Sequence, residues 1–165
     1  MENLVQIANS IRACKRQITR IIVHCSATEE GRNFKAADID RWHKAKGWDG
    51  IGYHFVVDIN GDIEVGREIG LKGAHAGVYN PMSIGVCYIG GLAERSLKAK
   101  DTRTVAQKEA LRWLLTLLKK KWPKAEILGH RDLPDVKKAC PCFNAKIEYF
   151  NIGKEKRKEI ENEED

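Results

Sequence analysis

Residues 18–25, I-T-R-I-I-V-H-C, constrain this chain more than any other stretch. Branched apolar side chains crowd a helix but suit a pleated surface, so the stretch reads as a strand. Its nearly unbroken hydrophobicity makes that strand a central, buried one. Residues 36–48 follow with helical spacing through Ile39, Trp42 and His43, and Gly47 loosens the end. Residues 53–58 and 63–67 read as two short strands around Asn60-Gly61, a dipeptide that tolerates the positive φ of a tight hairpin. Residues 70–81 are glycine-rich and irregular, and residues 83–89 form another buried strand. Thr104 and Gln107 have capping-box spacing. Leu111, Leu114, Leu115 and Leu118 then give one apolar helix face, and Pro123 ends it. A short strand at residues 126–129 leads into His130. Strands and helices alternate, so the class is α/β.

A chain of 165 residues suits one domain, and 42% hydrophobic content with four prolines argues for a folded protein. The expected division is a leader of residues 1–16 that forms a short extra helix, a body of residues 17–152, and a charged tail of residues 153–165. No apolar run approaches the roughly 20 residues of a membrane helix. Glu2, Asn9, Arg12 and Lys15 interrupt the pattern a secretory signal would need, so synthesis in the cytoplasm without a signal peptide is expected. The tail carries four basic and six acidic residues, which leaves +8 of the net +6 on the rest of the chain. That balance suits a polyanionic partner, either nucleic acid or an anionic cell-surface polymer. Nucleic acid is disfavoured, because the Lys119, Lys120 and Lys121 cluster closes a helix, where cations also suit the helix dipole.

Cysteines stand at 14, 25, 87, 140 and 142. The odd count, the lack of any C-x-x-C pair and the two-residue spacing of Cys140 and Cys142 argue against a disulfide framework and for ligation by a reduced thiolate. His24 ends the central strand, where neighbouring side chains point to opposite faces, so His24 and Cys25 diverge. One serves a site while the other packs. His130 opens a long polar loop, and Cys140 lies on its return. Two histidines and a thiolate make a three-ligand set for zinc with a fourth position open to water, whose pKa falls from ~15.7 to ~7. Spacing alone does not assemble distant ligands. A strand-end histidine serving only as a hydrogen-bonded polar group, and a cysteine serving as a small hydrophobe, stay open at this level.

Five segments carry more: V-H-C-S-A-T (23–28), G-Y-H-F (52–55), G-A-H-A-G-V-Y-N-P-M-S-I-G-V (73–86), G-H-R-D (129–132) and K-A-C-P (138–141). Together they resemble the N-acetylmuramoyl-L-alanine amidase family, which includes phage lysozyme-type amidases and peptidoglycan recognition proteins. The resemblance spans residues 18–150. It implies a central mixed β-sheet flanked by helices with zinc in a cleft at one end. The implied reaction is hydrolysis of the amide between the lactyl group of muramic acid and L-alanine. The ligands carried over are His24, His130 and Cys140. Many relatives have aspartate at the third place, and the cysteine looks like the phage-type branch. Lys138 and Tyr53 match the family's catalytic positions, where they would stabilise the charge that develops on the carbonyl oxygen. Some relatives place a glutamate base on the Tyr53 strand, so Tyr53 acting through water is the candidate here.

His75 and Asn80 match positions that face the muropeptide. Arg67 pairs either with a stem-peptide carboxylate or with a surface acid. His43 and His54 read as structural, Cys25 and Cys87 as core, and Cys14 as incidental. Cys142 competes with Cys140, and the K-x-C-P match favours Cys140. The resemblance thus implies a zinc-dependent lysis enzyme of phage or prophage type that reaches the cell wall after release. The alternatives are a cytoplasmic amidase recycling muropeptides and a peptidoglycan-binding module without catalysis. Relatives of the last kind lack a ligand, commonly the cysteine, and here all three are present. The oligomeric state stays open.

Overall fold

A computed structural model describes residues 2–154. In chain order the elements are α1 (Glu2–Ala13), β1 (Arg20–Cys25), β2 (Thr28–Glu29), α2 (Ala36–Ala45), β3 (Phe55–Val57), β4 (Ile63–Val65), a 3-10 turn (Gly77–Met82), β5 (Ser83–Tyr88), β6 (Gly91–Leu92), α3 (Val105–Lys121), β7 (Glu126–Gly129), a second 3-10 turn (His130–Asp132) and α4 (Ala145–Glu148). Five strands form one sheet in the order β4-β3-β5-β1-β7. Only β4 runs antiparallel to its neighbour; the other pairings are parallel, and β2 and β6 make a small separate pair. The sheet is the mixed one that the family segments imply, and β1 lies inside it.

The alternation along β1 decides what packs where. Ile21, Val23 and Cys25 face α1 and α3, meeting Ile7, Ile11, Leu111, Leu114, Leu115 and Leu118. Ile22 points to the opposite face and meets Leu128, Leu133 and Ala76. On that second face Ala36 and Ile39 of α2 cover Val56 and Cys87. The α3 start is the expected capping box. Thr104 Oγ1 accepts the Gln107 N–H at 3.1 Å, and Gln107 Oε1 accepts the Thr104 N–H at 3.0 Å.

The leader residues form the short helix expected of them, α1, and its Ile7 and Ile11 are buried in the same core as the sheet. The hairpin strands are shorter than expected, chiefly at the ends away from the turn. The buried carboxylate of Asp58 pairs with Lys35, and its Oδ1 accepts the N–H groups of Asn60 and Asp62, which organises residues 58–62. Gly61 takes the positive φ of +82° this turn demands. Tyr53 and His54 keep backbone bonds to Arg67, Gly66 and Gly85 beyond the strand ends. Among the described residues no helix is long and apolar enough to cross a membrane. The charged tail from residue 155 onward lies outside the described residues.

Candidate functional site

Parallel strands in register end side by side. Val23 pairs with Gly129, so the next residues, His24 and His130, emerge together at the carboxyl ends of β1 and β7. Open α/β sheets bind ligands at such ends. The two rings lie 4.7 Å apart, centroid to centroid. The loop after β7 then folds back, closed by a bond from the Arg131 N–H to the Cys140 carbonyl at 2.8 Å. That return brings Cys140 Sγ to 3.9 Å from His24 Nδ1, where the sulfur also accepts the Cys25 N–H at 3.2 Å.

One donor atom from each of His24, His130 and Cys140 lies within 4.8 Å of the other two. A tetrahedral zinc with N and S ligands at about 2.0 and 2.3 Å sets those atoms roughly 3.5 Å apart. The observed cluster needs only a small contraction to reach that spacing, and two imidazoles with a thiolate suit such an ion. Protonation agrees. Burial, together with His75, His130 and Lys138 nearby, holds the His24 pKa well below the usual range, and burial and Lys138 lower that of His130. Both rings are therefore neutral, as a metal ligand must be.

A cavity of about 240 Å³ opens beside the cluster. His130, Cys140, Lys138 and Tyr53 line it, with Trp42, His43 and Lys46 on the α2 side. The Tyr53 ring stands 4.9 Å from that of His24. Burial, with the thiols of Cys87, Cys140 and Cys25 adding to it, pushes the phenol's pKa well above its usual value. Tyr53 is thus a hydrogen-bond donor at neutral pH.

The other candidates lie elsewhere. His75 stands behind His24, with Nδ1 2.8 Å from His24 Nε2, and it is not among the residues lining the cavity. Asn80 Oδ1 accepts the N–H groups of His75 and Ala76 at 3.0 and 2.8 Å, which shapes the loop before β5. Arg67 donates to the carbonyls of Ile51, Lys72 and Gly50, which commits its guanidinium to holding backbone. His54 is fully buried. Its Nδ1 accepts the Gly85 N–H at 3.0 Å and its Nε2 lies 2.8 Å from the Leu71 carbonyl. His43 Nδ1 accepts the Gly52 N–H at 2.9 Å, so it is tied to the backbone while also lining the cavity. Cys87 is buried, and Cys14 packs in the core, its thiol toward the Ile69 carbonyl. Cys142 turns toward Cys25 and the Gly91 carbonyl, away from the histidines. Sequence reasoning did not single out Trp42, Lys46 or Ser83. Trp42 sits on α2, whose apolar spacing explains it as packing, and no periodic signal marks Lys46, just past the helix end, as a lysine at a cavity rim.

The sequence profile of Amidase_2, N-acetylmuramoyl-L-alanine amidase, matches residues 15–143. The chain belongs to this family. An endolysin of Klebsiella phage KP32 is 39% identical over 137 residues, covering 82% of this chain and 89% of that protein. The structure of the N-acetylmuramoyl-L-alanine amidase LysC from Clostridium intestinale URNW superposes with a TM-score of 0.68 at 27% identity, covering 82% of this chain and 84% of that one. A Drosophila PGRP-LB variant in complex with tracheal cytotoxin gives 0.66 at 25% identity over 82% of both chains. This amidase keeps all three clustered donors, Tyr53, Lys138 and His75 inside the span matched by the family profile. The amidase reading therefore stands over the basic nucleic-acid-binding domain that charge alone left open.

Proposed function

We propose that this amidase uses zinc held by His24, His130 and Cys140 to hydrolyse the amide between N-acetylmuramic acid and L-alanine in peptidoglycan, in cell-wall lysis of the endolysin kind. One observation carries the reading: the three donors cluster beside a cavity that His130 and Cys140 line and whose wall also presents Tyr53 and Lys138. When bound, zinc supplies a Lewis acid and a water of lowered pKa. The chain's own residues do the rest. As the amide carbon is attacked, negative charge gathers on the carbonyl oxygen, and the Lys138 ammonium and Tyr53 hydroxyl are the donors placed to meet it.

Lys138 is two residues from Cys140, so the cation and the thiolate are positioned by one loop. The burial that keeps the Tyr53 phenol protonated supports a donor role for it over a base role. The bonds of His75 and Asn80 run to His24 and to loop backbone and lend no support to direct substrate contact. A net charge of +6 favours approach to anionic wall polymers, an attraction that salt weakens.

Purified peptidoglycan digested with the protein and analysed by mass spectrometry tests this. New L-alanine amino termini should appear with the zinc-loaded protein and disappear with Cys140→Ala or after chelation. Zinc binding without cleavage would move the protein to the binding-module reading. Cleavage that survives both treatments would sink the metal assignment.

A further inference from the structure

The His24 ring is engaged at both nitrogens. Nδ1 faces Cys140 Sγ at 3.9 Å, and Nε2 lies 2.8 Å from Nδ1 of His75. The other nitrogen of His75, Nε2, lies 3.3 Å from Oγ of Ser83. The three side chains form a line running from the ligand cluster back into the sheet: the end of β1, the loop before β5, and the first residue of β5.

Each member is pinned. His24 and Ser83 are essentially without solvent exposure. Arg16 donates to the Ser83 carbonyl at 3.2 Å, and Asn80 Oδ1 holds the His75 N–H at 3.0 Å. The slot for the His75 ring exists because two neighbouring residues have no side chain. A Cβ at Gly73 would stand 2.5 Å from His75 Cδ2, and one at Gly85 would stand 2.7 Å from the same ring. Either would force the ring off His24.

The polarity of this line follows from the valence of imidazole. A ligating nitrogen must offer its lone pair, so a neutral His24 that ligates through Nδ1 carries its proton on Nε2. That N–H needs an acceptor, and His75 Nδ1 is the atom in reach. His75 then carries its own proton on Nε2 and donates it to Ser83 Oγ. Each junction has one donor and one acceptor. The opposite tautomer of His75 would set two N–H groups against each other at 2.8 Å.

We propose that His75, backed by Ser83, is a positioning residue that fixes His24 in the tautomer and ring orientation in which Nδ1 ligates the metal. The inference rests on the reading of His24, His130 and Cys140 as ligands. It assigns His75 to the metal's surroundings and not to the muropeptide. Outer partners of ligating histidines set metal affinity by about 10–100-fold.

The test is zinc affinity, measured by competition with a chromogenic chelator for wild type, His75→Phe, His75→Gln and Ser83→Ala. Thermal midpoints are recorded on the same metal-free proteins. Phe fills the slot without an acceptor and should weaken zinc binding about 10–100-fold. Gln, whose amide oxygen can accept the His24 N–H, should recover part of that loss, and Ser83→Ala should weaken binding less than Phe does. Zinc affinity of His75→Phe equal to that of wild type would overturn the proposal. So would a loss of affinity that merely tracks a fallen metal-free midpoint, with no recovery in Gln.

Long-range nitrogen–proton NMR on the zinc-loaded wild type needs no variant. It should show Nε2–H on both His24 and His75, and Nδ1–H on either would overturn the assignment. A wild-type protein that binds no zinc at all would fail the ligand reading itself, an outcome distinct from wild type and His75→Phe binding zinc equally well.

Discussion

Cys140 Sγ accepts the backbone N–H of Cys25 at 3.2 Å, so the candidate ligand on the loop after β7 is tied to the strand end that presents His24. Cys142, two residues on, instead lies 3.9 Å from Cys25 Sγ and packs against the core. The two cysteines should therefore respond differently to the same change. Cys140→Ser should lower zinc affinity by more than the ~100-fold seen for outer partners of metal ligands, with the fold retained. Cys142→Ser should keep one zinc per chain. Metal content after dialysis, with affinity by chelator competition, checks both, and the reverse pattern would make Cys142 the ligand.

Tyr53→Phe isolates the hydroxyl, because the ring packed near His24 and His43 is kept. Losing one donor to the developing oxyanion should lower kcat about 10²–10³-fold while KM and zinc affinity hold. Steady-state kinetics on a defined muropeptide is the measurement. An unchanged kcat would reduce Tyr53 to packing.

How much of this was legible in the sequence depended on the range of the interaction. The β-branched run of β1, the Thr104–Gln107 box and the leucine face of α3 are local signals, and each produced the element it announced. The divergence of His24 and Cys25 followed from strand alternation, with Cys25 in the core and His24 in the cluster. The leader was harder. Ile7 and Ile11 lie on one helical face with Cys14 just past its end, but Asn9 and Arg12 between them blur the pattern, and only the packing against α3 shows which face counts. The turn around Asn60-Gly61 was placed to within a residue, but the Asp58 carboxylate that accepts its N–H groups was not foreseen. The ligand set, spread from residue 24 to residue 140, has no period at all, and it became readable only through the family segments. The pairing of His24 with His75 is a product of strand order, with β1 beside β5, and no local signal encodes it.

Buried neutral histidines also set a pH limit on stability. His54 has its pKa lowered to about 4, chiefly by burial, against a usual 6.5. The unfolded chain therefore takes up this proton first as pH falls. The contribution is whole above pH 6.5 and is lost progressively down to about pH 4, a span worth about 3 kcal/mol. His75, lowered to about 3, adds in the same direction. Urea unfolding of the metal-free protein with chelator present should show stability falling between pH 6.5 and 4.5. His54→Gln should be less stable at pH 7.5, having lost the ring that accepts the Gly85 N–H, but its pH slope should be shallower. An unchanged slope would mean that His54 does not titrate on unfolding.

The last prediction concerns α1, which lies largely outside the segments that carry the family resemblance. Ile7 and Ile11 are buried against α3, Asn3 donates to the Ile63 carbonyl at 2.6 Å, and Lys121 reaches the Arg12 carbonyl at 2.6 Å. A segment held this way contributes to the stability of the whole unit. Ile7→Ala should cost about 2–5 kcal/mol through lost burial and the cavity left behind. In a chain of this size that is a fall in Tm of roughly 5–15 °C. Val5→Ala, at a position 60% exposed on the same helix, should stay within about 0.5 kcal/mol of wild type. Because α1 touches none of the clustered donors, zinc affinity of the folded Ile7→Ala protein should equal that of wild type. Calorimetry of the three metal-free proteins decides the matter, and an Ile7→Ala midpoint equal to wild type would mean that α1 contributes nothing to the stability of the unit.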